Sequence, residues 1–200
     1  MKYFYEQISK KDGIVLRGVV NTPDDFDKNK KVLLVMGGSL GSKKLNNIIR
    51  QNIEALLHDY QIIHLTGKGL VDDSINKKGY VQFEFVKDDL TDLLAITDTV
   101  VSRAGSNAIY EFLTLRIPML LIPLGLDQSR GDQIDNAKNF ESKGYGRHIP
   151  EDQLTEVNLL QELNDIELHR ESIIKQMETY QESYTKEDLF DKIIHDALNK

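Results

Sequence analysis

From Lys31 onward the chain alternates between short apolar runs and longer stretches in which apolar residues recur every three or four positions. The short runs are Lys31 to Met36, Gln61 to Leu65, Gln82 to Val86, Val100 to Ser102, Met119 to Ile122 and Tyr145 to Ile149, and each predicts a buried strand. Between them, Lys43 to Leu57 carries Leu45, Ile48, Ile49, Ile53, Leu56 and Leu57 on one helical face. Asp89 to Ile96 predicts a short helix with acidic residues in its first turn, Ile109, Phe112 and Leu113 mark another, and Gln133 to Lys143 predicts a fourth. Strands alternating with helices predict an α/β fold with a Rossmann-like, doubly wound parallel sheet. In the common strand order 3-2-1-4-5-6, the first and fourth strands are neighbours and a crevice opens at their C-terminal ends.

On either side of this alternation the pattern changes. Tyr3 to Ile8 and Ile14 to Val20 are β-like runs joined by the tight-turn pair Asp12-Gly13, which predicts a hairpin; Asn21 to Lys30, polar and containing Pro23, reads as a linker. Residues 1–30 are thus set apart, as hairpin and linker, from a domain over 31–200. Beyond Ile149 the chain is helical and charged. Leu154, Leu159, Leu160 and Leu163 mark one helix, Ile173 to Tyr184 a second, and Leu189, Phe190, Ile193, Ile194 and Leu198 a third. These cover the sheet or brace a neighbouring domain.

Two loops reach the predicted crevice. Gly37-Gly38-Ser39-Leu40-Gly41-Ser42 follows the first strand, and Arg103-Ala104-Gly105-Ser106 follows the fourth and opens a helix through Gly105, Ser106 and Asn107. Unpaired N–H groups and the dipole at a helix start favour an anion such as a phosphate. Glu111 lies about one turn into that helix. An acceptor-only carboxylate beside an anion site suits the hydroxyls of a ribose, the plainer alternative being a solvated surface glutamate. The first loop fits neither G-x-G-x-x-G nor the residue order of a P-loop. It does fit G-x-S-x-G from Gly37 to Gly41, the nucleophile elbow of α/β hydrolases, and Asp127 and His148 follow Ser39 in the chain order of such a triad. Against an esterase, this elbow would follow the first parallel strand, whereas the hydrolase elbow follows several strands. Asp25-Phe26-Asp27 matches the Asp-x-Asp pattern of metal-dependent sugar transferases, but within a charged linker it reads as a chance match.

Charge and composition narrow the partners. With 200 residues, a net charge of -7 and a pI near 5.3, the chain offers no basic stripe, which argues against nucleic acid as the main partner. The absence of cysteine removes disulfides, a thiol nucleophile and cysteine-based zinc sites, and suits a reducing cytosol. No apolar run reaches the length of a membrane span, and the first residues lack a signal peptide's apolar core. His58, His64, His148, His169 and His195 are scattered and read as surface or packed side chains, so no catalytic base and no metal site is nominated.

Taken in order, Gly37 to Ser42, Leu65-Thr66-Gly67-Lys68-Gly69, Ser102 to Asn107 with Glu111, Ile122-Pro123, Arg130-Gly131-Asp132-Gln133 and Asn136-Ala137 closely resemble the C-terminal half of the MurG family. These are bacterial GT-B glycosyltransferases that move N-acetylglucosamine from UDP-GlcNAc to muramyl-pentapeptide on undecaprenyl diphosphate, converting lipid I to lipid II. The resemblance runs from about Lys31 to the C-terminus. It implies an inverting transferase of peptidoglycan synthesis, tied to cell shape and division, with UDP-GlcNAc as donor substrate and neither cofactor nor metal. It places Ser39, with Gly38 and Gly41 of its loop, at the donor diphosphate, and the backbone of Phe85 and Val86 at the uracil. It gives Glu111 the ribose hydroxyls and Asp132 and Gln133 the sugar, although the family often has two glutamines at that pair. Arg103, Gly105 and Ser106 become diphosphate neighbours, with Arg103 alternatively the structural partner of an acidic residue. The family's acceptor half, with its glycine-rich loop, histidine base and membrane-facing patch, has no counterpart in residues 1–30. The expectation is a donor-binding half, a fragment or a separate subunit, that needs an acceptor-binding domain or subunit for turnover. It would meet the lipid-linked acceptor through that partner, in the cytoplasm at the inner face of the membrane. A non-catalytic UDP-sugar-binding module is the further reading.

Overall fold

The computed structural model describes residues 26–27, 29–38, 40–86, 90–126 and 128–180. The hairpin expected over Tyr3 to Val20, the helix expected around Leu189 to Leu198, Ser39 and Asp127 lie outside the described residues.

Among the described residues six strands form one parallel sheet: β1 (Lys31–Met36), β2 (Tyr60–Leu65), β3 (Tyr80–Phe83), β4 (Thr99–Ser102), β5 (Met119–Leu121) and β6 (Gly146–His148). Their order is β3-β2-β1-β4-β5-β6, the common order of doubly wound sheets. Met36 pairs with both Leu65 and Ser102, so β1, β2 and β4 end level and the loops that follow them emerge side by side. The central strands are buried on both faces: every residue of β2 and β4 is buried, as are Val32 to Val35 of β1. That is why they read as continuous apolar runs instead of alternating ones.

The helices are α1 (Lys43–Gln51), α2 (Ile53–Asp59), α3 (Leu90–Ile96), α4 (Ser106–Thr114), α5 (Asp132–Ser142), α6 (Glu156–Leu168) and α7 (Arg170–Glu178). The single helix expected over Lys43 to Leu57 is divided at Asn52, which sits at φ -97°, ψ 9°. Its side-chain amide donates to the Ile48 carbonyl at 2.9 Å, an oxygen that its own backbone N–H also engages. Such local side-chain bonding is how asparagine interrupts helices. Ile53 and Leu56 nevertheless stay buried, so the apolar face runs across the break. β3 also departs from expectation, ending at Phe83 instead of Val86. The ladder with β2 ends at the Leu65–Phe83 pair, and bonds from Thr66 N–H to Phe83 and from Gly67 N–H to Glu84 follow it.

Beneath the sheet, Glu167 of α6 ties the strand starts together. It accepts from Tyr60 Oη (2.9 Å), Thr99 Oγ1 (3.0 Å), Lys31 and Arg170, while Arg170 also donates to the Asp98 carbonyl at 2.9 Å. Burial works against its charge, but the bonds from Arg170, Lys31 and Tyr60 prevail and hold the carboxyl at about 2. This fixes the N-terminal edge of the sheet and leaves the C-terminal edge to the loops. Among the described residues, no helix is long and apolar enough to cross a membrane.

Candidate functional site

Glycine shapes the loop after β1. Gly41 has φ +73°, and a Cβ there would stand 2.0 Å from the Thr66 carbonyl oxygen; a Cβ on Gly67 would meet the Gly41 backbone at 2.4 Å. The loops after β1 and β2 are therefore packed backbone against backbone, a contact open only to glycine. Gly38, also at positive φ, is exposed, and its carbonyl receives the Gly41 N–H at 3.0 Å. Ser42 closes the loop as the N-cap of α1, its Oγ accepting from Leu45 N–H at 3.2 Å.

The loop after β4 is built differently. Gly105 precedes α4 at φ -70°, ψ 135° and provides no side-chain cap. Among the described residues the first N–H groups of α4 have no side-chain cap, and they stand at the positive end of the helix dipole, where an external acceptor is favoured. Asn136 of α5 holds this loop in place, donating to the Ala104 carbonyl (3.0 Å) and to Ser106 Oγ (3.2 Å). Glu111 stands on the exposed face of α4, about one turn in.

One buried side chain joins the two loops. Arg103, 7% exposed, donates to Ser42 Oγ (2.8 Å), Glu151 Oε1 (2.5 Å) and the Ile122 carbonyl (3.1 Å). Its guanidinium links the start of α1, the end of β5 and the short 3-10 helix Glu151–Gln153. Arg103 is thus the ion-pair partner of Glu151. Beyond Arg103, Lys44, Gly125, Leu126, Gln128, Ile134, Glu151 and Asp152 line a cavity of about 600 Å³. Asp132 and Gln133 open α5 close by: Asp132 is exposed, and Gln133 Oε1 accepts from Leu124 N–H at 3.2 Å.

Across the sheet, Phe85 and Val86 follow the end of β3, the former 49% exposed and the latter half-buried. Glu84 just before them fastens the loop after β2, its carbonyl to Gly67 N–H (2.9 Å) and its carboxylate to Gly69 N–H (2.8 Å). The sheet thus presents Gly38, Gly41, Gly105, Ser106, Glu111, Phe85, Val86, Asp132 and Gln133 at the C-terminal ends of its strands or on the helices those ends lead into. His148 is set apart from the loop after β1. It lies on β6, three strands from β1, roughly 14 Å at the usual strand spacing. Its Nδ1 is 2.7 Å from the Glu141 carboxylate.

Sequence reasoning did not single out Ser42, Asn46, Glu151 or, as a site residue, Asn136. A serine immediately before an amphipathic run is an N-cap signal, so Ser42 was accessible. Glu151 and Asn46 reach the site through tertiary contacts that no local pattern encodes.

Residues 32–193 match the family model described as the glycosyltransferase family 28 C-terminal domain. Among curated relatives, the UDP-N-acetylglucosamine--N-acetylmuramyl-(pentapeptide) pyrophosphoryl-undecaprenol N-acetylglucosamine transferase of Staphylococcus epidermidis strain ATCC 35984 is 99% identical over 176 residues, covering 88% of this chain and 49% of the relative. The protein of the same name from Staphylococcus haemolyticus is 80% identical over 188 residues, covering 94% of this chain and 52% of the relative. The chain therefore spans about half the length of the curated relatives it matches. Among solved structures, Acinetobacter baumannii MurG superposes with a TM-score of 0.61 at 22% identity, covering 76% of this chain and 45% of that one. A glycosyltransferase of kitacinnamycin gives 0.63 at 20% identity, covering 81% of this chain and 40% of that one. Fold, family match and near-identical relatives agree: the chain belongs to the family of glycosyltransferase family 28 C-terminal domains.

Proposed function

We propose that residues 31–200 form the UDP-GlcNAc-binding half of an inverting N-acetylglucosaminyltransferase that acts on lipid-linked muramyl-pentapeptide. The observation that carries this reading is the near-identity to relatives named for that transfer, over a segment about half their length. The site geometry agrees with it: an uncapped α4 N-terminus stands beside a glycine-shaped loop, with an exposed carboxylate one turn along. In this reading the donor diphosphate lies between the α4 start, at Gly105 and Ser106, and the loop of Gly38, Ser39 and Gly41. Glu111 accepts from the ribose hydroxyls, the backbone at Phe85 and Val86 meets the uracil, and Asp132 and Gln133 face the sugar. Arg103, bonded to Ser42 and Glu151, shapes the loops beside the diphosphate.

Transfer breaks the bond between the anomeric carbon and the diphosphate oxygen, and UDP departs with the electron pair. An acceptor hydroxyl forms the new bond from the opposite face and gives its proton to a base. The α4 N–H groups and dipole stabilise the charge that develops on the leaving diphosphate, a role metals fill in other transferases. In-line attack requires the acceptor to be held against the donor, so the base and the acceptor site belong to a second half. That half would place the assembly at the inner face of the membrane.

Reconstitution tests the proposal. Joined to the N-terminal half of the Staphylococcus epidermidis relative, the chain is expected to transfer N-acetylglucosamine from UDP-GlcNAc to a lipid-linked muramyl-pentapeptide, and alone to transfer none. A joined protein that binds the donor but transfers to no acceptor would instead favour a non-catalytic UDP-sugar module.

A further inference from the structure

Behind the loop after β1 lies a buried polar chain that the donor-site reading does not use. Tyr80, at the start of β3, places its hydroxyl 2.8 Å from Nδ1 of His64 on β2. His64 Nε2 lies 3.0 Å from Asn46 Oδ1 on α1, and Asn46 Nδ2 donates to the Thr66 carbonyl at 2.9 Å. His64 and Asn46 are 0% and 1% exposed. The Thr66 carbonyl is the group against which Gly41 packs.

The direction of every bond follows from its last acceptor. A carbonyl oxygen only accepts, so the Asn46 amide must turn its NH2 to Thr66 and its oxygen to His64. Nε2 of His64 therefore carries the proton, and Nδ1 accepts from the Tyr80 hydroxyl. Protonation would make Nδ1 a donor and turn the Tyr80 hydroxyl from donor to acceptor. Burial, aided by the nearby Arg50 cation, pushes the imidazole down to about 3 and keeps it neutral. Arg50 itself is held by the Leu70 carbonyl (2.6 Å) and Gln82 Oε1 (2.7 Å). Three buried polar residues on three elements thus point, with one fixed polarity, at a single backbone oxygen.

We propose that Tyr80, His64 and Asn46 are positioning residues that hold the Thr66 carbonyl against Gly41 and thereby set the shape of the loop between β1 and α1. In consequence they tune affinity for the diphosphate of a nucleotide without touching it, a consequence that rests on the donor-site reading above.

Two measurements on the full chain separate the proposal from that reading. The first is amide hydrogen exchange without ligand. His64→Leu or Asn46→Asp is expected to speed exchange about tenfold across 40–46 and 66–69 and to leave β4 and β5 unchanged, whereas His64→Gln, whose amide can still donate to Asn46, stays near wild type. The second is calorimetric titration with UDP and with uridine. His64→Leu is expected to weaken UDP about tenfold and to leave uridine within about twofold, with His64→Gln restoring UDP affinity. Should His64→Leu fail to fold, Tyr80→Phe, which removes only the first donor, is expected to move both readouts in the same direction by a smaller factor. Unchanged exchange in the loop peptides, or UDP and uridine weakened equally in every variant, would overturn the positioning role. Faster loop exchange in a protein that binds no UDP even as wild type would uphold the role and defeat the donor reading.

Discussion

Gly41 shows how much one residue can carry. With φ at +73° and the Thr66 oxygen 2.0 Å from any added Cβ, Gly41→Ala meets both a strained backbone and a clash with immobile main chain. Urea denaturation is expected to show a loss of about 1–3 kcal/mol or more. At Gly38, where nothing lies within 4 Å of a Cβ, alanine costs only its strain, so the destabilisation is smaller. The sequence marks both as turn glycines but not which of them faces a carbonyl, because the contact comes from a loop 25 residues away. Arg103 illustrates the same limit. Its neighbours in the chain place it beside an anion-friendly turn, and only the fold brings Glu151 to within 2.5 Å of it. The sequence leaves His64 as either a surface or a packed histidine; it is packed, and its partners Asn46 and Tyr80 come from elements that no periodicity links.

Among the elements, the loops are organised by an ion pair more than by their own sequences. Breaking a buried pair leaves a charge uncompensated, so Arg103→Met alone is expected to cost about 3–5 kcal/mol in chemical denaturation. Arg103→Met with Glu151→Leu removes both charges and should recover much of that stability. The recovered protein is still expected to bind UDP more weakly than wild type, because Ser42 and the Ile122 carbonyl lose their common donor. Equal destabilisation in the single and double variants would show that packing, not charge pairing, holds the loops. Element types were legible wherever periodicity ran long, as in α1 and the central strands. Boundaries were not. Asn52 divides a helix through a local side-chain bond, and β3 ends where β2 ceases to pair with it, a limit set by its neighbour and not by its own residues.

For the whole molecule, the alternation made a doubly wound parallel sheet legible, and right-handed crossovers leave few strand orders for it, of which the common one is found. Its stability should carry the mark of the buried histidine. His64 titrates near 6.5 when unfolded and near 3 when folded, so between those values the unfolded chain takes up a proton that the native state refuses. Stability is therefore full above about pH 6.5 and falls as the pH drops, with a slope approaching 1.4 kcal/mol per pH unit. Below about 4.5, Glu167, held near 2 in the fold, adds to the loss in the same direction. Urea denaturation across pH 4.5 to 7 should show this slope, and His64→Gln should flatten it. The central claim, a donor-nucleotide site at the C-terminal ends of the strands, is tested most directly by calorimetric titration of UDP-GlcNAc into the wild-type chain and Glu111→Ala. Saturable one-to-one binding is expected, weakened about 10- to 100-fold by Glu111→Ala with no change in folding, as the loss of hydrogen bonds to a charged group implies. A folded wild-type chain that binds no UDP-GlcNAc, or binds it equally well without the Glu111 carboxylate, would contradict the account.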